Sequence, residues 1–486
     1  MNRALKTSLL SLPIGLILAA SGHTAQGPSS SETPYLVPAN GTVEFTSLLT
    51  VGDAVRKNNP ANAGDTVYRM VGLPDGLGAF DNGDGTLTVL MNHELANTRG
   101  IIRSHGSIGA FVSRWRVRKS DLKVLRGEDQ IKTLYLYNAA TSTWAPGTTA
   151  FNRFCSADLA KPSAFYNVAS DKGYFDGRIF MNGEETAGGR AFAHIASGPL
   201  AGSSFELPAL GNAAWENNVA NPAVQDRTIV ISLDDTTPGK VYVHGAEKTN
   251  GAGPLAAGLH GGLNRVIAVA GYATDVRDSI PTAGTRFNLV TTTDPTGTLF
   301  LRPEDGAWDT QDLNRFYFVT TDRYDQVKDG VGATVGRTRL WRLTFDHVNN
   351  PLTGGTIEAL LDGTEATQMM DNLTVDGQGN VIIVEDVGGN AHNGKVWKYD
   401  PTTDALTLLG KHDPARFGDI GTPATAPHNN DEEASGVIDV TDSFAGMPEY
   451  DTAIYNYFLL VDQAHSSNPD AELVERGQFN MMRVVK

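Results

Sequence analysis

The chain has 486 residues, a formal charge of −16 and a single cysteine. So acidic a chain is a poor partner for nucleic acid or for anionic membranes. One cysteine excludes an internal disulfide, which leaves the core and bound cations to hold the fold together. Its 52 glycines, with many short β-branched and aromatic runs between turns, predict an all-β protein.

Arg3 and Lys6 precede the apolar run Leu9–Ala20 and the small residues Ala20-Ser21-Gly22. This is the layout of a secretory signal peptide, and the run is short for a membrane span. Residues 1–25 are therefore expected to be removed, with cleavage near Ala20, Gly22 or Ala25, and the mature chain to be periplasmic or secreted. Residues 26–40, opening on a Ser/Gly/Pro-rich spacer, are expected to be a disordered lead-in, and residues 41–486 one domain.

From there one figure recurs: a short apolar strand that ends in a polar or acidic group. It is read at Thr86–Met91 with Asn92-His93-Glu94, at Arg178–Met181 with Glu184-Glu185, and at Lys240–Val243 with His244 to Glu247. It returns at Arg315–Val319 with Thr320 to Asp322, at Asn380–Val384 with Glu385-Asp386, and at Tyr457–Val461 with Asp462 to His465. A weaker figure precedes most copies, a turn and a strand ending in Asp or Asn: Gly76–Asp81, Pro162–Asn167, Asp305–Asp309, Asp371–Asp376 and Ala434–Asp439. The third copy lacks it. Such self-similarity predicts a six-bladed β-propeller with long loop insertions, whose blades stack in a ring because none buries both faces alone. The starts of the innermost strands and the ends of their neighbours would then share one mouth of the channel, where crowded carboxylates either raise one another's pKa or bind cations.

Between the copies, Ser107–Asp121 alternates aromatic and basic residues and reads as an edge strand, while Leu200–Arg227 and Glu247–Arg265 read as loops. The glycine cluster Gly258 to Gly262 has no strand-to-helix context and matches no nucleotide fingerprint. His428–Glu433 is the densest polar run and stands just before an inner strand, so Glu433 is expected to face the channel.

Asn152–Arg190 carries the most chemistry, with the lone thiol of Cys155 and the adjacent acids Glu184 and Glu185. A soft thiolate gathered with hard carboxylates makes a metal site of mixed character, suited to a transition metal beside an oxygen-loving one. No G-x-S-x-G elbow, H-E-x-x-H or P-loop competes with it. Read without metal, Cys155 is a packed thiol and the two glutamates are a solvated loop.

Phe154-Cys155-Ser156, Glu184-Glu185, the run Arg302-Pro303-Glu304-Asp305-Gly306-Ala307-Trp308-Asp309, and Glu433 with Gln463-Ala464-His465 resemble the PhoX-type alkaline phosphatases, over a span from about Asn92 to the C-terminus. The resemblance implies a six-bladed propeller holding an iron and calcium cluster that hydrolyses small phosphate esters, in a chain that works as a monomer. It implies Cys155 and Glu304 as iron ligands, one of Glu184 and Glu185 on iron and the other on calcium, and Asp305 and Glu433 as further cluster ligands. The repeat adds Glu94 and Glu385. The catalytic group would be Cys155, Glu184, Glu185, Glu304 and Asp305. Arg190 and Arg302 are candidates for holding phosphate. The chain departs from the family in lacking twin arginines near its start, and it has Ser163 to Asn167 in place of a Trp-Gly-Thr element. Two other readings of the acids remain: a calcium-only propeller hydrolase of the phytase or lactonase kind, and a non-catalytic calcium-binding propeller.

Overall fold

A computed structural model describes residues 22–60, 62–275, 284–321 and 338–486. The signal-like run and Asp322 lie outside them. Nearly all regular structure is antiparallel strand; the one α-helix among the described residues is Pro414–Phe417.

Six inner segments organise the sheets. Five are the strands Pro74–Asp81, Asn212–Ala220, Pro303–Trp308, Met370–Val375 and Glu432–Asp439. The sixth is the short stretch Cys155–Asp158, which is bridged to Met181 of Ile179–Gly183 by a pair of backbone hydrogen bonds at 2.8 and 2.9 Å. From each segment the chain steps outward through strands such as Thr86–His93 and Phe111–Arg118, or Tyr455–Ala464 and Arg476–Val485. Backbone approaches are closest between the inner segments. At Gly76 an added Cβ would stand 2.4 Å from the Ala157 nitrogen, and at Gly436, where φ is +43°, one would stand 2.6 Å from the Asp75 oxygen. Both places require glycine.

Alternation along the strands feeds apolar clusters that lie between neighbouring groups, because a pleated strand sends successive side chains to opposite faces. Leu87, Val89 and Met91 meet Leu459, Val461 and Phe479 between the first group and the last. Ile382 and Val384 meet Phe458 and Leu460, and Tyr317 and Val319 meet Leu373 and Ile383. Ile229 and Ile231 pack with Phe316 and Phe318, Met181 with Trp215, and Leu90 with Phe154 and Phe180. Each group thus depends on two neighbours, and the first is joined to the last.

Several expectations are corrected. Residues 26–40 are not a disordered lead-in: His23–Gln26 pairs parallel with Val43–Thr50, Leu36–Pro38 pairs with Ala405–His412, and Tyr35 and Leu36 are fully buried. Phe111–Arg118 is no edge strand, because it pairs on both sides with Thr86–His93 and Val124–Asp129. Pro162–Ala164 is a 3-10 turn, so the second inner segment lies earlier, at Cys155. The expected loop Leu200–Arg227 contains the third inner strand, Asn212–Ala220, which supplies the missing copy of the weaker figure. Hydrogen bonding also runs between groups, joining the second, third and fourth into one 14-stranded sheet through Glu185–Ala214 and Phe287–Gly355.

Candidate metal centre

The six inner segments place one ligating side chain each around a cavity of about 230 Å³, five near their starts and Glu216 in mid-strand: Asp75, Cys155, Glu216, Glu304, Asp371 and Glu433. A second tier comes from the ends of the adjoining strands, where Glu94, Glu185, Asp235, Asp386 and His465 face the same cavity. With Asp431 this makes ten carboxyl groups against Arg153, Arg302 and His465. So many acids in so small a space either stay protonated or share cations.

Three sets of ligating atoms each fall within 4.8 Å of one another: Asp75, Glu94 and Cys155; Cys155, Glu185 and Glu216; and Glu216, Glu304 and Asp371. Consecutive sets share a member, first Cys155 and then Glu216. A chain of sets with common ligands is the pattern of a cluster of several ions rather than of separate sites. The donor set fits hard and borderline cations together. Asp75 Oδ1 and Glu304 Oε2 are buried without a hydrogen-bond partner among the described residues, so each keeps an oxygen free for an ion.

Without a cation the acids are held as acids. Burial is the first cause: it pushes Asp75, Glu185, Glu304 and Asp371 well above the usual carboxylate range, Glu216 to about 8 and Asp386 to about 7. Neighbouring charge adds to it at Asp371, where Glu304 is closest in effect, and at Glu216, where Asp235 is. Burial, then the charge of Glu185, pushes the Cys155 thiol up, and its sulfur donates to Glu185 Oε2 at 2.6 Å. A thiol beside a carboxylate is the reverse of an activated nucleophile, which needs a cationic neighbour. Two acids run against the trend. Burial would raise them, yet Arg302 holds Asp235 low and His465 holds Glu433 low.

The cations at the mouth are already engaged. Arg153 reaches Glu94 at 2.7 Å and Glu185 through Nε at 2.8 Å. Arg302 Nε sits 2.7 Å from Asp235 and 3.1 Å from Glu304. Beneath them, Gln463 Nε2 lies 3.0–3.2 Å from carboxylate oxygens of Glu94, Asp75 and Glu433, and the Ser156 hydroxyl donates to Glu216 at 2.5 Å.

Of the residues singled out in the sequence, Cys155, Glu185, Glu304, Glu433 and Glu94 are brought together here, with Arg302. Three are not. Glu184 turns away from the cavity to a two-point ion pair with Arg190, at 2.7 and 3.0 Å, which also removes Arg190 as a phosphate group holder. Asp305 points one residue further along its strand than Glu304, where it accepts from Asn217 and from the backbone of Gly306 and Leu373. It lines the other end of the central space with Asp158 and Trp308. Glu385 is fully buried under Trp397, whose indole N–H donates to it at 2.7 Å, and the next residue, Asp386, faces the cavity instead. Adjacent strand residues point to opposite faces, so of each acidic pair only one reaches the centre.

Asp75, Glu216, Asp235, Asp371 and Asp386 were missed. Asp75 and Asp371 stand at the starts of strands, away from their acidic ends, and Asp386 directly follows Glu385. Glu216 lies in a stretch whose composition reads as a loop but which forms the strand Asn212–Ala220. The pair Glu216-Asn217, an acid followed by a polar residue like Glu304-Asp305 and Asp371-Asn372, is the available signal.

No protein-family model and no curated protein matches this sequence. Among solved structures, Pseudomonas fluorescens PhoX in complex with vanadate, a transition state analogue, is similar in fold: TM-score 0.59 at 12% identity, covering 92% of this chain and 95% of that one. Regucalcin from Agrobacterium tumefaciens, a calcium-binding protein, matches at a TM-score of 0.37 and 13% identity over 85% of this chain and 92% of its own. The first likeness shows a shared fold; the second is too low to carry an argument.

Proposed function

We propose that this chain is an exported, metal-dependent phosphatase, a six-bladed β-propeller with long insertions that hydrolyses small phosphate esters at an iron and calcium cluster. The single observation that carries this is the linked set of ligands joined through Cys155 and Glu216. The fold likeness to a protein captured with vanadate supports it, as do the family-like motifs around Cys155 and Glu304. Cys155, Glu185, Glu216 and Glu304 would hold the iron, and Asp75, Glu94, Asp371, Asp386 and Glu433 the calcium. Bound there, these ions would supply Lewis acidity and positive charge for a dianionic ester.

The chain's own part is positioning. Arg302 and Arg153, both at the cavity, offer planar forks of N–H donors that match phosphoryl oxygens. Half-exposed Arg153 is the one that meets an arriving ester first. His465, its pKa pushed well above the ordinary value by Glu433 and Glu475 despite burial, stands as a cation at the rim and is placed to hand a proton to a leaving alkoxide. The signal-like segment, cut near Ala20 or Gly22 so that the strand His23–Gln26 stays in its sheet, directs the chain out of the cytoplasm, and the monomer is the working unit.

The test is metal analysis of purified protein together with hydrolysis of p-nitrophenyl phosphate. Iron plus calcium with turnover is expected, and Cys155→Ala and Glu216→Gln each lose iron and at least about 100-fold in rate while the melting curve stays cooperative. Calcium alone, with Cys155→Ala fully active, would move the assignment to a calcium-only hydrolase, and calcium without turnover would make it a binding protein.

A further inference from the structure

Between the first and second strand groups the packing is divided. Near the centre it is filled by Leu90, Val112, Phe154, Phe180 and Phe192; further out it opens into a cleft of about 660 Å³. Arg114, Arg116, Arg126 and Lys132 line the cleft against Glu128, with Asp84 on the rim beside Arg116. This is a local excess of positive charge on a chain whose net charge is −16.

The register sharpens the point. Arg126 stands directly opposite Arg116 on one neighbouring strand and directly opposite Arg56 on the other, so three arginines form a row across three strands. Neighbouring strands hold such groups only about 5 Å apart, and like charges placed directly opposite destabilise a sheet. Arg116 is relieved by Asp84, and Lys132 by Glu128 at 2.7 Å. Arg56 and Arg126 have no carboxylate partner among the described residues, and Arg126 makes only a long contact of 3.5 Å to Asn58 Oδ1. The row therefore leaves Arg56 and Arg126 without a neutralising carboxylate, a role that anionic groups lying along it would fill.

We propose that this cleft binds a linear oligoanion of the polyphosphate class, successive phosphates lying along Arg116 and Arg126 inside it and reaching the exposed Arg56 on the strand next to Arg126, with Arg114 and Lys132 beside them. Guanidinium forks match phosphate oxygens two at a time. The cleft's one aromatic lining residue, Trp115, is fully buried. No ring is exposed for a sugar or a base to stack on, which favours an unbranched phosphate chain over a sulfated saccharide or single-stranded nucleic acid. The site is separate from the metal centre and does not depend on the reaction proposed there.

Fluorescence anisotropy with an end-labelled linear polyphosphate, on the full metal-loaded chain, tests it. Wild type is expected to bind, Arg126→Gln to bind about tenfold more weakly, the loss of one charge-assisted contact, and Arg56→Gln/Arg126→Gln not to bind detectably. Arg286→Gln, at a remote exposed ion pair with Asp346, binds as wild type. Without polyphosphate, Arg126→Gln melts no lower than wild type, because the repulsion is relieved. No binding by wild type, or equal affinity in the double variant, overturns the site. A lower melting temperature for free Arg126→Gln makes the row structural, and equally tight binding of dextran sulfate or of an oligonucleotide of matched charge overturns the ligand class.

Discussion

The Ser156 hydroxyl is the smallest group on which the metal centre leans. It donates to Glu216 at 2.5 Å, is itself buried, and accepts a hydrogen bond from the Asn372 amide. Glu216 belongs to two of the three ligand sets, so the direction of its carboxylate decides whether they share an ion. Ser156→Ala leaves one oxygen of Glu216 with only a long contact to the residue 156 amide, 3.4 Å away. Groups that orient ligands are worth about 10–100-fold in metal affinity. Metal titration of this variant is expected to show a loss of that size with the fold intact; unchanged affinity would mean that Glu216 is oriented by the metal itself. The same scale explains which acids the sequence exposed. Glu185 and Glu304 stand beside Glu184 and Asp305, and composition cannot say which member of a pair faces inward.

At the scale of the strand, parity makes that choice. Glu385 closes its strand against Trp397 and Asp386 turns to the cavity, so Glu385→Gln is expected to keep its metal while Asp386→Asn loses part of it, read by metal content of the purified variants. Retention by Asp386→Asn together with loss from Glu385→Gln would reverse the assignment. The N-terminal strands carry a second expectation. A chain beginning at residue 41 loses His23–Gln26 and Leu36–Pro38, with the buried Tyr35 and Leu36. Burying a large apolar side chain contributes about 1.5–3 kcal/mol, so urea unfolding of that truncation should show several kcal/mol less stability than a chain beginning at residue 22. Equal midpoints would make these strands ornaments of the sheet. The segment looked disordered because Ser, Gly and Pro set its composition; its pairing partners lie in Val43–Thr50 and, much further along the chain, Ala405–His412.

At the scale of the whole molecule, the two ends of the chain pair, Val43–Thr50 lying against Arg476–Val485, and the acids the sheets gather at one cavity make stability depend on pH. Glu216 is raised by burial to about 8 and Asp386 to about 7. A carboxyl raised on folding holds its proton better in the folded state, so stability is greatest below the unfolded value near 4 and falls as pH climbs through the folded values. Protein stripped of metal should therefore melt progressively lower from about pH 4 to about pH 8, and added calcium and iron should restore it. A flat profile in stripped protein would mean that the acids are not buried together. By itself the sequence determined the all-β class and the recurrence of strands with acids at their ends, because these depend on residue type and on periods of two along a strand. Only the tertiary structure decided that Asp75, Glu216, Asp235, Asp371 and Asp386 complete the centre, that Glu184, Asp305 and Glu385 leave it, and that three arginines fall into one row. Those facts depend on which strands become neighbours, and the register between strands distant in sequence is set by packing that no local pattern contains.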